Sequence, residues 1–381
     1  MEKKFIERIV EAFLETEGSD LHLVPDSPLV YREKGEIKKT DRFGTLSKED
    51  VRMLFNQIVD LAAKESVKKR DFIQKNLKEK SHVGFSAIFL DNVRFRVQAS
   101  LYNDSYYIVL RILKSTPPKL EDLGLPQKTV AGLKYVSSRR AGLFLVVGAT
   151  GSGKTTTLSS IINEINLNMA KNIITLEDPI EYEYKAAKSN VIQKELGRDF
   201  EDFNEAIRSA LREDPDVILV GEIRDKETLS LALELSETGH LVFGTLHTNT
   251  VVSTIQRMVA MSGEEELTRN RLAQSLIGVL AQMLIKNQQG ELSVVTEFLI
   301  VDKSISANIR EGEDVQINSS LDTYEYSNSF NHSLRELFKK GKIDVDMAYR
   351  YSPDPKYLNL EDEIFENKTQ KNEIKNSYIL D

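Results

Sequence analysis

The residues with the clearest chemical potential lie in one glycine-rich stretch near the middle of the chain. Gly148 is followed, after four residues, by Gly153, Lys154 and Thr155. In such a loop backbone N–H groups face phosphate oxygens, the Lys154 ammonium reaches the β and γ oxygens, and the Thr155 hydroxyl ligates Mg²⁺. The spacing therefore predicts a nucleoside triphosphate site, whose residues are Gly148, Ala149, Thr150, Gly151, Ser152, Gly153, Lys154, Thr155 and Thr156.

An apolar run precedes this loop and an amphipathic run follows it. We expect residues 144–147 to form a buried strand, and the apolar side chains after the loop recur at helical spacing, at Leu158, Ile161, Ile162 and Ile165. A strand, a loop and a helix in this order favour a phosphate-binding loop over an ordinary glycine-rich turn.

A carboxylate suited to phosphate chemistry follows another apolar run. Residues 217–220 read Val-Ile-Leu-Val, and Gly221 and Glu222 come next. At the end of a strand Glu222 can hold Mg²⁺ through water or orient the attacking water, although such a strand taken alone is more often plain core. Many P-loop proteins carry an aspartate where Gly221 stands, so metal coordination must be completed in another way.

A second acidic cluster, Leu-Glu-Asp-Pro-Ile-Glu at 176–181, also follows an apolar run. Pro179 is expected to end the strand and to fix a turn that aims Glu181 at the γ-phosphate as the base that activates water. Glu177 and Asp178 would then support water or Mg²⁺. The alternative is an ordinary acidic turn on the surface.

Two histidines, His240 and His247, flank a short apolar strand expected at 241–244. A sensor of the γ-phosphate suits them, and a purely structural role is the alternative. Zinc is disfavoured because no third or fourth ligand is evident and because their odd separation sends the two rings to different faces of a straight strand.

The pattern along the chain changes three times. Residues 1–113 have the mixed pattern of a small α/β domain, and the prolines of 114–119 predict a linker. Residues 120–351 alternate apolar strands with amphipathic helices, which predicts an α/β domain with a mostly parallel sheet. Residues 352–381 are expected to be a mostly disordered tail, in which a docking motif could use Ile364, Phe365, Ile379 and Leu380.

Composition narrows the class of protein further. The 381 residues include no cysteine, which excludes disulfides, thiolate zinc sites and thiol redox chemistry. The net charge of -8 and the pI of about 5.5 have the wrong sign for gripping a nucleic acid over a large surface. No export signal is visible, and every apolar run falls short of the roughly 20 residues that cross a bilayer, so we expect no integral membrane segment.

Four motifs together resemble those of the secretion ATPases of type IV pilus systems, in particular the PilT/PilU-like retraction motors. GATGSGKTT at 148–156 resembles the Walker A motif and LEDPIEY at 176–182 the Asp box. LREDPDVILVGEIRD at 211–225 resembles the Walker B motif and ETGHLVFGTLHT at 237–248 the His box. The similarity extends in weaker form over about residues 5–345, and SDLHL at 19–23 is similar to the family's opening strand.

The resemblance implies a PAS-like amino-terminal α/β domain followed by a RecA-like P-loop ATPase domain. It implies a homohexamer with active sites at subunit boundaries, ATP and Mg²⁺ as cofactors, and force exerted on an inner-membrane pilus platform protein. The protein would then be cytoplasmic and peripheral at the cytoplasmic face of the inner membrane. A mixed assembly with a homologous pilus ATPase is a further expectation.

The resemblance also implies roles for individual residues. Glu181 would be the general base, Glu222 the Walker B acid, and His240 and His247 nucleotide sensors. Three arginines would reach the phosphates of a neighbouring subunit, where cationic groups stabilise charge in the transition state. They are Arg94, Arg96 and Arg111, of which the first two share a strand face by alternation.

Departures from the family's motifs refine the expected function. The segment SISANIRE at 304–311 stands where PilT-type motors read AIRNLIRE, which favours a PilU-like or accessory motor. Ala149 stands where the family often has proline, which is a minor change. The loop at 101–107 lacks an arginine that the family often has there, and Asp104 lies near that position. The long amino-terminal extension and four-cysteine motif of assembly motors are missing, so retraction is favoured over pilus assembly or type II secretion.

Two other functions remain as alternatives at this level. One is a nucleic-acid translocase, because RecA-like hexamers also thread strands, although the acidic pI opposes it. The other is a catalytically slow scaffold that binds ATP in order to partner a more active homologue, an idea prompted by the segment at 304–311.

Overall fold

The computed structural model describes residues 3–90, 92–113 and 116–360, except for the side chain of Glu65. Within these residues the chain forms two compact units. The first unit comprises Met1–Pro117, Ile174–Lys185 and Ile192–Ser209, and the second comprises Pro118–Ile173, Ala186–Val191 and Ala210–Asp381. The sequence places 174–185 and 192–209 in the second domain, whereas they belong to the first unit because Ile180 and Glu195 bond to its side chains. The linker at 114–119 stays a prediction, since 114 and 115 lie outside the described residues.

The first unit is built on an antiparallel sheet. Its strands and helices are α1 (Phe5–Leu14), β1 (Gly18–Leu23), β2 (Leu29–Glu33), β3 (Glu36–Thr40), α2 (Lys48–Glu65), α3 (Val67–Lys80), β4 (His82–Phe89), β5 (Val93–Tyr102) and β6 (Ser105–Ile112). The six strands are ordered β3-β2-β1-β6-β5-β4. Alternation sorts the side chains of β5, so that Phe95 and Val97 enter the core while Arg94 and Arg96 lie on the opposite face. The two arginines of β5 therefore share one face of the sheet.

The remaining elements alternate strands with helices. They are α4 (Gln127–Ser137), β7 (Gly142–Val147), α5 (Lys154–Asn168), β8 (Asn172–Glu177), β9 (Asn190–Glu195), α6 (Phe203–Ala210), β10 (Val217–Val220), α7 (Lys226–Glu237), β11 (Leu241–Leu246), α8 (Val251–Ser262), α9 (Glu265–Ser275), β12 (Leu276–Lys286), β13 (Leu292–Ile300), α10 (Lys303–Glu311), α11 (Asp314–Ser320), α12 (Phe330–Lys339) and α13 (Val345–Tyr351). Short 3-10 turns span Leu120–Leu123 and Pro355–Tyr357.

The sheet of the second unit is mostly parallel, as the sequence predicts. The strands of this sheet that lie wholly within the second unit are ordered β13-β12-β7-β11-β10, with parallel pairing from β12 to β10 and an antiparallel β13 at the edge. Every residue of β7, β10 and β11 is buried, because both faces of such a sheet are covered. The carboxyl ends of β7, β11 and β10 therefore meet at one edge of the sheet.

The end of the described chain differs from the expected disorder. Leu358 and Leu360 are fully buried, the Asn331 side chain donates to the carbonyl oxygen of Asp354 at 2.8 Å, and Arg335 donates to that of Leu358 at 3.2 Å. Apolar burial and these bonds hold residues 352–360 in place. The rest of the predicted tail, with its docking motif, lies outside the described residues.

Candidate nucleotide-binding site

The glycine-rich loop connects β7 to α5 in a conformation that needs its glycines. Gly148, Gly151 and Gly153 have φ values of +147°, +79° and +89°, which L side chains rarely adopt. A Cβ on Gly148 would also collide with the carbonyl oxygen of Gln282. Gly153 caps the amino terminus of α5, where free N–H groups and the helix dipole favour an anion.

The side chain of Lys154 lies against this loop. Its Nζ donates to the carbonyl oxygens of Gly148 and Ala149 at 2.7 and 2.9 Å. Burial lowers the pKa of Lys154, and the charge of Glu222 opposes that shift. The loop therefore offers a cation and a helix amino terminus beside the exposed Thr155, which is a donor set that fits a triphosphate with Mg²⁺.

Strands β11 and β10, which follow β7 in the order of the sheet, bring two of the predicted residues to the loop. Leu246 of β11 pairs with Val147, so His247 follows at the level where the loop begins. On β10, Glu222 comes two residues after the strand's end, and its Oε1 lies 3.3 Å from Nε2 of His247. The other carboxylate oxygen lies 2.7 Å from Nη2 of Arg224. Lys154, Glu222 and His247 thus share one end of the sheet.

His240 lies at the other end of β11. The strand between the two histidines has six residues, which separates its ends by roughly 20 Å. The Nδ1 atom of His240 lies 3.0 Å from the carbonyl oxygen of Leu235 and 3.2 Å from the Thr238 hydroxyl. Within one subunit the structure therefore does not bring His240 to the loop, and any contact of His240 with a nucleotide would need a second copy of the chain.

Gln282 braces the loop, although no sequence motif singles it out. Its strand β12 pairs with β7, and Ala281 stands opposite Val147. The Nε2 atom of Gln282 donates to the carbonyl oxygen of Ser152 at 2.6 Å. Among the described residues, the buried Oε1 of Gln282 and Oγ of Ser152 have no hydrogen-bond partner. Polar atoms that are buried and unpaired beside the loop suit a site completed by a ligand or water.

The first unit holds Glu181 and the three arginines. Arg96 Nη1 lies 3.2 Å from Oε1 of Glu181, and Arg111 Nε donates to Oδ1 of Asp20 at 2.7 Å. The side chains of Arg94, Arg96 and Arg111 are 8%, 40% and 64% exposed, respectively. Arg111 is therefore the most accessible of the three to another molecule, and Arg94 is enclosed within its own chain.

Glu177 differs from its expected role beside water or Mg²⁺. Burial raises the pKa of Glu177 to about 7, against hydrogen bonds from Thr175, Gln193 and the backbone N–H of Glu181. The Thr175 hydroxyl and the Gln193 amide lie 2.7 and 3.2 Å from one carboxylate oxygen. An enclosed carboxyl with these partners holds the segment around Glu181 in place.

Comparison with known proteins assigns the class. The family described as "Type II/IV secretion system protein" matches residues 2–332, and the chain belongs to this family. Two of its relatives are named as pilus ATPases. "Type IV pilus retractation ATPase PilT" of Pseudomonas aeruginosa is 39% identical over 342 residues, which are 88% of this chain and 95% of that protein. "Type IV pilus ATPase PilU" of the same organism is 30% identical over 359 residues, covering 93% and 90%.

A solved structure agrees with this assignment. The crystal structure of the pilus retraction motor PilT with bound ADP has a TM-score of 0.82 and 40% identity, covering 93% of this chain and 98% of the other. The expected α/β fold and the nucleotide-binding ATPase class are confirmed. In the part of the chain that the structure describes, no helix is long and apolar enough to span a membrane.

Proposed function

We propose that this chain is a motor ATPase that powers type IV pilus retraction as a homohexamer at the cytoplasmic face of the inner membrane. The observation that carries the proposal is the gathering of Lys154, Glu222 and His247 at one sheet end, beside a loop shaped for phosphates. The chain is similar to a retraction ATPase over nearly all of that relative's length. Hydrolysis would drive force on a platform protein of the pilus base.

Each residue of the proposed site would have a separate role in ATP hydrolysis. The loop N–H groups and Lys154 would bind the β and γ oxygens, and His247 would sense the γ-phosphate through Glu222. Thr155 and Glu222 would hold Mg²⁺, which supplies charge neutralisation at the phosphates. Glu181 would take the proton of the attacking water as general base. Arg111 and Arg96 are the arginines whose exposure suits contact with a neighbouring subunit.

An accessory motor is the second candidate, and the surface of α10 favours it. Of the residues that match the PilT-type segment, Ile305 and Ile309 are buried and pack the helix. The departures at 304 and 306–308 fall on exposed or half-exposed positions. These departures change the surface of α10 that other molecules can contact, whereas the buried isoleucines that pack the helix are kept. Such a pattern is expected of a motor that works beside a PilT-like partner.

The test uses a deletion strain complemented with wild type or with Lys154→Ala. Loss of the gene should leave surplus pili without twitching, and Lys154→Ala should fail to restore movement. The purified variant should also lose ATP turnover by about a hundredfold or more, because a charge that stabilises the transferred phosphate is gone. Bald cells would contradict retraction, and undiminished ATP turnover would contradict the site.

A further inference from the structure

A buried charged cluster in the first unit takes no part in the chemistry above. The Glu195 cluster consists of Lys69 on α3, Ser86 on β4, Arg94 on β5 and Glu195 on β9. Each residue is at most 7% exposed. Lys69 Nζ lies 2.8 Å from Glu195 Oε1, and the Ser86 hydroxyl lies 2.8 and 3.0 Å from the two carboxylate oxygens. Despite burial, the pKa of Glu195 stays below its usual value because Lys69 and Ser86 stabilise the carboxylate.

Such a cluster costs folding free energy that apolar side chains would not. Removing charges from water is expensive, and well-packed hydrophobic replacements are often as stable or more so. Stability therefore does not explain the cluster, and we ask which part of the chain its side chains hold in position. Outside the cluster, its side chains bond to both polar backbone atoms of Ile180, and Nε of Arg94 also lies 3.3 Å from Oε1 of Glu183, whose side chain is half exposed.

Ile180 is held at both of its polar backbone atoms. Its N–H donates to Oε2 of Glu195 at 3.2 Å, and its carbonyl oxygen accepts from Nη2 of Arg94 at 3.0 Å. The next residue is Glu181, whose side chain lies 3.2 Å from Arg96 on the same face of β5 as Arg94. The cluster thus fixes the peptide from which the Glu181 side chain projects.

We propose that Lys69, Ser86, Arg94 and Glu195 are positioning residues that set the direction of Glu181 for water activation. The inference rests on the proposed role of Glu181 as general base. A general base must lie within hydrogen-bond reach of the proton it takes, and a displacement of about 1 Å can cost on the order of a hundredfold in rate. Arg94 then acts inside its own chain, in contrast to the expectation that it reaches a neighbour's phosphates.

The test is a double-mutant cycle on the full-length protein, with single-turnover and steady-state ATP hydrolysis as readouts. Glu195→Gln and Ser86→Ala are each made in the wild-type background and in Glu181→Gln. In the wild-type background we expect the rate of hydrolysis to fall about tenfold. KM for ATP should change less than twofold, because the cluster residues are not part of the phosphate loop that binds ATP. In the Glu181→Gln background we expect no further loss.

The matched control is Ser105→Ala. Ser105 is also a buried serine of the same sheet, and its hydroxyl donates to the carbonyl oxygen of Lys48 at 2.9 Å, away from Ile180. It should leave kcat unchanged. Ser86→Ala keeps the three charged side chains of the cluster, so it serves if Glu195→Gln does not fold.

Two results would overturn the inference alone while leaving Glu181 as the base. One is an equal loss of rate in both backgrounds, and the other is a raised KM with kcat unchanged. If Glu181→Gln itself left the rate unchanged, the base assignment would fail and the inference would fail with it.

Discussion

Lys154 shows how a single side chain prepares the site. Its ammonium donates to two neutral carbonyl oxygens of the loop while burial lowers its pKa. Phosphate oxygens would offer charged acceptors, and hydrogen bonds between charged partners are about twice as strong as neutral ones. A triphosphate can therefore draw Lys154 away from the loop carbonyls. Gln282 contributes differently, because it holds the loop backbone itself.

We expect Gln282→Ala to weaken nucleotide binding while sparing the chemical step. The variant loses the hydrogen bond to the Ser152 carbonyl, a contribution of about 1 kcal/mol, which corresponds to a roughly fivefold rise in KM for ATP. Because Gln282 touches no proton that moves, kcat should change less than twofold. Gln288→Ala, at an exposed amide beyond the end of the same strand, is the control, and an unchanged KM in Gln282→Ala would contradict the role.

At the scale of elements, much of the fold can be predicted from local sequence patterns. The remaining contacts depend on how the strands pair, which those patterns do not show. Strands β7, β10 and β11 are mostly apolar runs, so their sequences alone place the phosphate loop after β7 and Glu222 after β10. Gln282 could not be found this way, because it meets Ser152 across 130 positions through strand pairing. The separation of His240 from the loop likewise follows from the length of β11 rather than from a motif.

The helix α8 begins against a buried carboxyl of β13. The Val251 N–H donates to Oε1 of Glu297 at 2.7 Å. Burial raises the pKa of Glu297 to about 7, and that hydrogen bond opposes the shift. A carboxyl with a raised pKa makes the folded state bind a proton that the unfolded state has released, between pH 4.5 and about 7. Its contribution to stability is therefore lost as the pH rises through this window.

We expect Glu297→Gln to flatten this pH dependence. Glutamine keeps an oxygen that accepts from Val251 but does not titrate, so the change in unfolding free energy between pH 5 and pH 8 should shrink by about 1 to 3 kcal/mol. Urea unfolding at both pH values measures it. Glu291→Gln, at an exposed position of the same hairpin, controls for the loss of one charge. A pH dependence equal to that of wild type would refute the assignment.

At the scale of the whole molecule, the proposed homohexamer would share each active site between two copies, with Arg111 of one copy acting beside the phosphate loop of the next. We expect a one-to-one mixture of Lys154→Ala and Arg111→Ala subunits, reassembled together, to regain about a quarter of wild-type ATP turnover, because random assembly pairs an intact loop with an intact arginine at that share of interfaces. Each variant alone should be inactive.

The control mixture combines Lys154→Ala with Glu222→Gln, both of which damage the same side of the site. No interface in that mixture has an intact loop side, so turnover should stay at the level of the single variants. Recovery in the control, or none in the first mixture, would refute a shared site that depends on Arg111.

The assignment of 174–185 and 192–209 to the first unit makes the two units interlaced along the chain. The polypeptide passes from one to the other five times, at 117, 173, 185, 191 and 209. A gene fragment that stopped at residue 117 would encode Lys69 and Arg94 without the carboxylate that compensates them. Exchange of residues 1–117 alone between related genes would leave the buried Lys69 and Arg94 dependent on a Glu195 from the other gene, which is encoded nearly eighty codons further on.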